Sequence, residues 1–154
     1  MIEPLLHWLH VIGAAVLLGT GAGIAFFMVV AARTQNSSTI ASVARIVVLA
    51  DFVFTASAVL AQPITGFALI EVAGWSKWDG WIMASLALYL VAGALWLPIV
   101  WVQMQLRDLA VEAAAKGEDL PPRFHELYRI WFWSGFPAFA AVLAIFWLMI
   151  NKPF

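Results

Sequence analysis

The sequence predicts an all-α integral membrane protein, a bundle of four transmembrane helices, on three observations. Of its 154 residues, 64% are hydrophobic and only 11% are charged, against about 45–50% and about 25% in soluble domains. The apolar residues gather into four long runs, each close to the roughly 20 residues that carry a helix across a hydrocarbon core of about 30 Å. The runs are continuous rather than alternating, unlike the strands of a membrane barrel, and a helix pairs its own backbone groups where lipid offers no partner.

The first run extends from about Leu5 to Ala32 without a Lys, Arg, Asp or Glu. The second covers about Ile46 to Ile70 and is interrupted by Asp51 and by Gln62-Pro63, with Thr65-Gly66 close behind. The third, Trp81 to Val102, and the fourth, Ile130 to Ile150, carry no charge. Pro98 and Pro137 are expected to kink these two spans, as Pro63 does the second. The segment Arg33 to Arg45, rich in Ser, Thr and Asn, is expected to be a polar loop. Leu106 to Lys116 reads as the third helix continuing beyond the membrane, with Gly117 as its C-cap and Pro121-Pro122 delaying the next helix until His125. No repeat or composition shift divides the chain, so residues 1–154 are read as one transmembrane domain. Glu3 precedes any basic residue and the first run is long, a pattern unlike a cleavable signal.

Of the eight Lys and Arg residues, Arg33, Arg45, Arg107, Lys116, Arg123 and Arg129 flank the first and third connections, while Lys77 and Lys152 lie on the other side. The positive-inside rule then places both termini outside. Trp8, Trp75, Trp78, Trp81 and Trp147 fall at that outer level and read as an interfacial belt. A net charge of −1 leaves no electrostatic footprint for nucleic acid. The absence of cysteine excludes disulfides, zinc–thiolate sites and iron–sulfur clusters on this chain.

Chemistry falls to few residues. His7 and His10 share one face of the first span, three residues apart, and Gly13, Ala14, Leu17 and Gly21 continue that face. Small residues below a neutral imidazole make a groove that suits a flat macrocycle, and histidine is a common haem ligand. The same pattern serves simple helix packing, and Gly19-xxx-Gly23 is a dimer-type motif, so a homodimer is an expectation. Two residues on one helix face cannot ligate both sides of one haem; Met83 and Met149, at a similar level, are the other candidate ligands. His125 lies at the opposite end. Asp51 is the one acid well inside a span; it reads either as a proton relay or as an ion pair with Arg129, Arg107 or Arg45. The run Gly19-Thr20-Gly21-Ala22-Gly23 follows no strand and is not a nucleotide loop.

Leu6-His7-Trp8-Leu9-His10-Val11-Ile12-Gly13, Tyr128-Arg129-Ile130, Pro137 and the closing Lys152-Pro153-Phe154 resemble the two ends of HemJ-type protoporphyrinogen oxidases. Across essentially the whole chain, the first-span motif, Arg45 to Asp51, Trp96-Leu97-Pro98 and the fourth span resemble a bacterial integral-membrane family, domain-of-unknown-function family 2269. The HemJ-type resemblance implies a b-type haem held by His10 and a redox reaction on porphyrinogen. His7 stands where that group has a lysine, and Ser134-Gly135-Phe136 where it has an Asn-Glu pair, so haem binding is implied more directly than porphyrinogen oxidation. The expected function is a haem b-dependent redox or electron-transfer role in a bacterial inner membrane, with Lys77 and Lys152 toward the propionates and a quinone or small redox substrate as partner. The competing expectations are a cofactor-free accessory or assembly subunit and a small proton-coupled transporter acting through Asp51.

Overall fold

The computed structural model describes residues 2–154. Four antiparallel helices follow one another: α1 (Ile2–Arg33), α2 (Ser37–Ala73), α3 (Gly80–Lys116) and α4 (Pro122–Asn151). Each is long and apolar enough to cross a membrane. Among the described residues there is no strand. Both termini and the connection at 74–79 share one end, called here the terminal end. Trp81 N–H donates to the carbonyl of Phe154 at 3.1 Å. The short connections at 34–36 and 117–121 form the opposite, loop end.

The helices outrun their apolar stretches. The expected polar loop from Arg33 to Arg45 is only a turn at Thr34 to Asn36: Asn36 Oδ1 accepts from Thr39 N–H at 2.8 Å and α2 begins at Ser37. Ile40, Ala41, Ala44, Val47 and Val48 are all buried, a 3.6-residue spacing that makes this polar-looking segment an amphipathic helix start. Pro122 does not delay α4 but begins it; proline suits the first helical position because that N–H has no intrahelical partner. Gly117 does cap α3, at φ 66°, with Glu118 N–H donating to Ala113 at 2.9 Å. Gly74 ends α2 the same way at φ 70°.

The first half of α2 packs on α3, and α3 packs along α4, whereas the second half of α2 packs on α1. At the loop end Met28, Ile40, Ala44, Leu106, Ala110 and Phe124 therefore form one dense core. A π turn at Asp51–Thr55 interrupts α2 where it parts from α3. Toward the terminal end the α1–α2 pair and the α3–α4 pair diverge, and Ile70, Trp81 and Ile82 with Trp75, Leu86 and Met149 close the gap from above.

Gly13 sets how closely α1 and α2 approach. Gln62 Nε2 donates to the His10 carbonyl at 2.9 Å, and a Cβ on Gly13 would lie 2.3 Å from that nitrogen. Gly13 thus faces the Gln62 side chain rather than open space. Pro63 leaves the Val59 carbonyl without its helical donor, and the Tyr89 hydroxyl of α3 donates to it instead. This bond ties α2 to α3 across the divergence.

Gly13→Val is expected to lower the melting temperature in detergent, at a cost of about 1–3 kcal/mol for overpacking. Adding Gln62→Ala should restore much of the loss. A double-mutant cycle on thermal unfolding reads this coupling, and additive losses would show that Gly13 and Gln62 do not meet.

Candidate functional site: a long intramembrane cavity

The divergence of the two helix pairs leaves a half-open cavity of about 690 Å³, within the roughly 300–1,000 Å³ of sites for small molecules and cofactors. Its lining runs along α1 from His7 to Val29 and along α2 from Asp51 to Ile70, so its length on α1 is about 33 Å at 1.5 Å per residue. Phe67, Leu86, Phe139, Val142 and Phe146 give it apolar walls. Its polar side chains collect mainly at the two ends.

The terminal end carries His7, His10, Gln62, Trp75, Trp81 and Lys152. His10 Nδ1 lies 2.8 Å from Thr65 Oγ1. The Thr65 hydroxyl also lies 2.9 Å from the Ala61 carbonyl, which can only accept. A hydroxyl has one proton; once it is donated to Ala61, Thr65 accepts from His10 Nδ1–H. That fixes the tautomer and leaves Nε2 with its lone pair, and Nε2 makes no hydrogen bond among the described residues. The His10 ring rests against Gly66, whose Cβ would meet Cε1 at 3.2 Å. His7 meets Trp75 edge-on, centroids 6.0 Å apart, and Lys152 Nζ stands 4.0 Å from the Trp75 ring centroid and 5.4 Å from that of Trp81.

The loop-ward end holds Asp51, Thr55, Trp96, Gln103 and Trp131. Trp131 Nε1–H donates to Gln103 Oε1 at 3.0 Å, which orients the Gln103 amide so that its Nε2 donates to Asp51 at 3.3 Å. Trp96 Nε1–H reaches the other carboxylate oxygen at 3.4 Å.

The sequence candidates thus separate into groups. His7, His10, Gly21, Met149, Lys152 and Asp51 line the cavity. Gly13 instead packs against Gln62. Met83, 43% exposed, lies outside the lining. Lys77 pairs with Glu71 at 3.0 Å on the exposed surface. Asp51 makes no ion pair with Arg129, Arg107 or Arg45: its donors are neutral, Arg107 pairs with Asp108, and Arg129 is exposed beside Glu126 and Ser134. Of the expected tryptophan belt, Trp8, Trp78 and Trp147 are exposed, while Trp75 and Trp81 turn inward to roof the cavity. Among the described residues no group of three or more His, Asp or Glu gathers as a metal cluster. Sequence reasoning missed Thr65, Thr55 and Gln103; the one available signal was their being polar residues within or at the edge of apolar runs, four residues after Asp51 in the case of Thr55.

A family model described as a predicted integral membrane protein, DUF2269, matches residues 4–153, and the chain belongs to that family. No curated protein and no solved structure matches the chain.

A Cβ on Gly21 would meet nothing within 4 Å although the residue lines the cavity. Gly21→Leu is therefore expected to leave the melting temperature in detergent unchanged or higher, since it removes a helix-interior glycine that costs roughly 1 kcal/mol. A fall of several degrees would mean that the space beside Gly21 is closed.

Proposed function

We propose that this protein binds a b-type haem in the terminal half of the cavity, with His10 Nε2 as its ligand and a redox or electron-transfer role. The observation that carries the reading is the His10–Thr65–Ala61 chain of hydrogen bonds. A ligating histidine commonly donates its second ring N–H to a neighbouring acceptor, which fixes its tautomer and orientation. His10 has that arrangement on a helix face that continues into an open, apolar cavity.

The residues present fit the group. A haem iron takes four ligands from its macrocycle and needs one or two from protein. Gly66 lets the Cε1–Nδ1 edge of the His10 ring approach α2 closely, and the walls are aromatic and aliphatic. Lys152 is the cation at the mouth, suited to a carboxylate. His7 and Met149 also line the cavity and are the candidates for a second ligand. When bound, the haem would supply one-electron chemistry whose potential depends on axial ligand, burial and nearby hydrogen bonds. The chain's own contribution is to hold His10 in one tautomer, to wall the site with apolar side chains and to set a positive charge at its rim.

The resemblance to a bacterial membrane family implies a bacterial inner membrane, and the basic residues at the span ends favour both termini outside, which would put the His10 end of the cavity near the outer surface. A membrane-soluble quinone or small redox substrate would reach it through the bilayer. Gly19 and Gly23 have no neighbour within 4 Å of an added Cβ, so that motif is available for a homodimer rather than used within the chain.

His10→Ala should abolish the Soret band of protein purified in detergent after expression with haem supplied, while far-ultraviolet circular dichroism stays helical. Thr65→Val should keep the band and weaken haem binding about 10–100-fold, the usual effect of removing a ligand's hydrogen-bond partner. A wild-type spectrum without a Soret band, as isolated and after dithionite, would overturn the reading.

A further inference from the structure

We infer that the loop-ward end of the cavity is a second binding subsite, built to receive a hydroxyl-bearing head group of an apolar, membrane-soluble molecule. This goes beyond the haem reading and does not depend on it. Asp51 and the level of Gln62, where α1 and α2 meet at His10, are eleven residues apart on α2, about 17 Å of helix rise.

The argument begins with an imbalance. Asp51 is 5% exposed and Thr55 is 7% exposed, and both line the cavity. Thr55 Oγ1 is buried beside the Asp51 carboxyl group and makes no hydrogen bond of ordinary geometry with it or with any other described group. A threonine in a helix ordinarily bonds a carbonyl three or four residues back, as Thr65 does to Ala61 and Gln62. In α2 the backbone at Asp51–Thr55 is instead a π turn, a feature found frequently at functional sites. An unpartnered hydroxyl inside a membrane is costly, because no bulk water is at hand.

The second half of the argument is the fixed direction of the neighbouring bonds. Trp131 orients Gln103, and Gln103 and Trp96 each donate to one oxygen of Asp51. Both donors are at the long end of hydrogen-bond range, 3.3 and 3.4 Å, and the two carboxyl oxygens carry more lone pairs than these two bonds use, whether the group is ionised or neutral. Asp51 therefore retains accepting capacity. One residue offers an acceptor, the other a hydroxyl that donates or accepts, and both face the same space. A ligand hydroxyl satisfies the two with a single atom, donating to Asp51 and accepting from Thr55. A carbonyl or ether oxygen would satisfy Thr55 alone. The apolar cavity leading away from this point accepts the rest of such a molecule, and quinols and lipid alcohols share that chemistry.

The test compares ligands by titration calorimetry on the full chain in nanodiscs. The probes are a decyl quinol, its dimethyl ether, and dioctanoylglycerol beside trioctanoylglycerol. The hydroxyl form of at least one pair is expected to bind roughly tenfold tighter than its blocked counterpart, the worth of one well-made hydrogen bond. Preference within the quinol pair identifies a quinol site, and preference within the glyceride pair a lipid-alcohol site; both support the subsite. Thr55→Val is isosteric, so the folded protein should bind the hydroxyl and the blocked form both more weakly, because each accepts from the Thr55 hydroxyl. Asp51→Asn, which weakens the acceptor that only a hydroxyl uses, should lose most of the preference where it folds. Equal binding of hydroxyl and blocked forms, binding of none of the four, or affinities that Thr55→Val leaves unchanged would overturn the proposal. In those cases the Thr55 hydroxyl serves at most a trapped water.

Discussion

Inside a hydrocarbon layer a polar atom has no water to fall back on, and the cost of an unpaired donor or acceptor there is several kcal/mol. Nearly every internal feature of this bundle follows from that constraint. Pro63 strips a donor from the Val59 carbonyl, and Tyr89 from a different helix supplies one. Gln62 cannot stay idle, so it reaches across to the His10 carbonyl and Gly13 gives it room. Ser85 and Ser57 return their hydroxyls to their own helices. These bonds tie helices that van der Waals contact alone would leave apart, since lipid is as apolar as the side chains it replaces.

The same constraint explains why the cavity has two polar ends with an apolar middle. Polar side chains persist where several can satisfy one another, and two such clusters exist. One is a histidine whose Nδ1 meets a threonine hydroxyl; the other is a carboxyl group held by one indole and by an amide that a second indole orients. Between them the α1–α2 pair and the α3–α4 pair stand apart. The dense loop-end core keeps the bundle folded without requiring the middle to be filled, so the cavity is compatible with stability. The π turn stands at the junction between the packed and open regions and carries a buried, cavity-lining hydroxyl that makes no hydrogen bond of ordinary geometry among the described residues.

Function, on this view, is a matter of what completes each cluster. His10 presents a free nitrogen lone pair at one end, and Asp51 with Thr55 presents an acceptor and a hydroxyl at the other. Under the two proposals the first would take a coordinating partner and the second a donating and accepting group. Lys152, held over Trp75 and Trp81, gives the mouth beside His10 a positive charge that the loop-ward end lacks.

Composition and the lengths of the apolar runs were enough to determine four membrane-crossing helices, because the bilayer imposes one length and one backbone solution on any such run. The sequence also determined the Gly117 cap, the continuation of α3 to Lys116, and His10 and Asp51 as the cavity-lining polar residues of interest, since polar side chains in apolar runs are conspicuous. The start of α2 at Ser37 was legible in the spacing of Ile40, Ala44 and Val47 but was masked by the Ser and Thr residues around it. Tertiary structure alone decided the rest. That Thr65 meets His10, that Asp51 meets Gln103 and Trp96 rather than an arginine, that Gly13 packs while Gly21 lines open space, and that Trp75 and Trp81 turn inward all depend on which helix faces which and at what height. Those facing relations come from the divergence at the π turn, a product of packing between segments distant in the chain, and no local pattern in an almost uniformly apolar sequence encodes it.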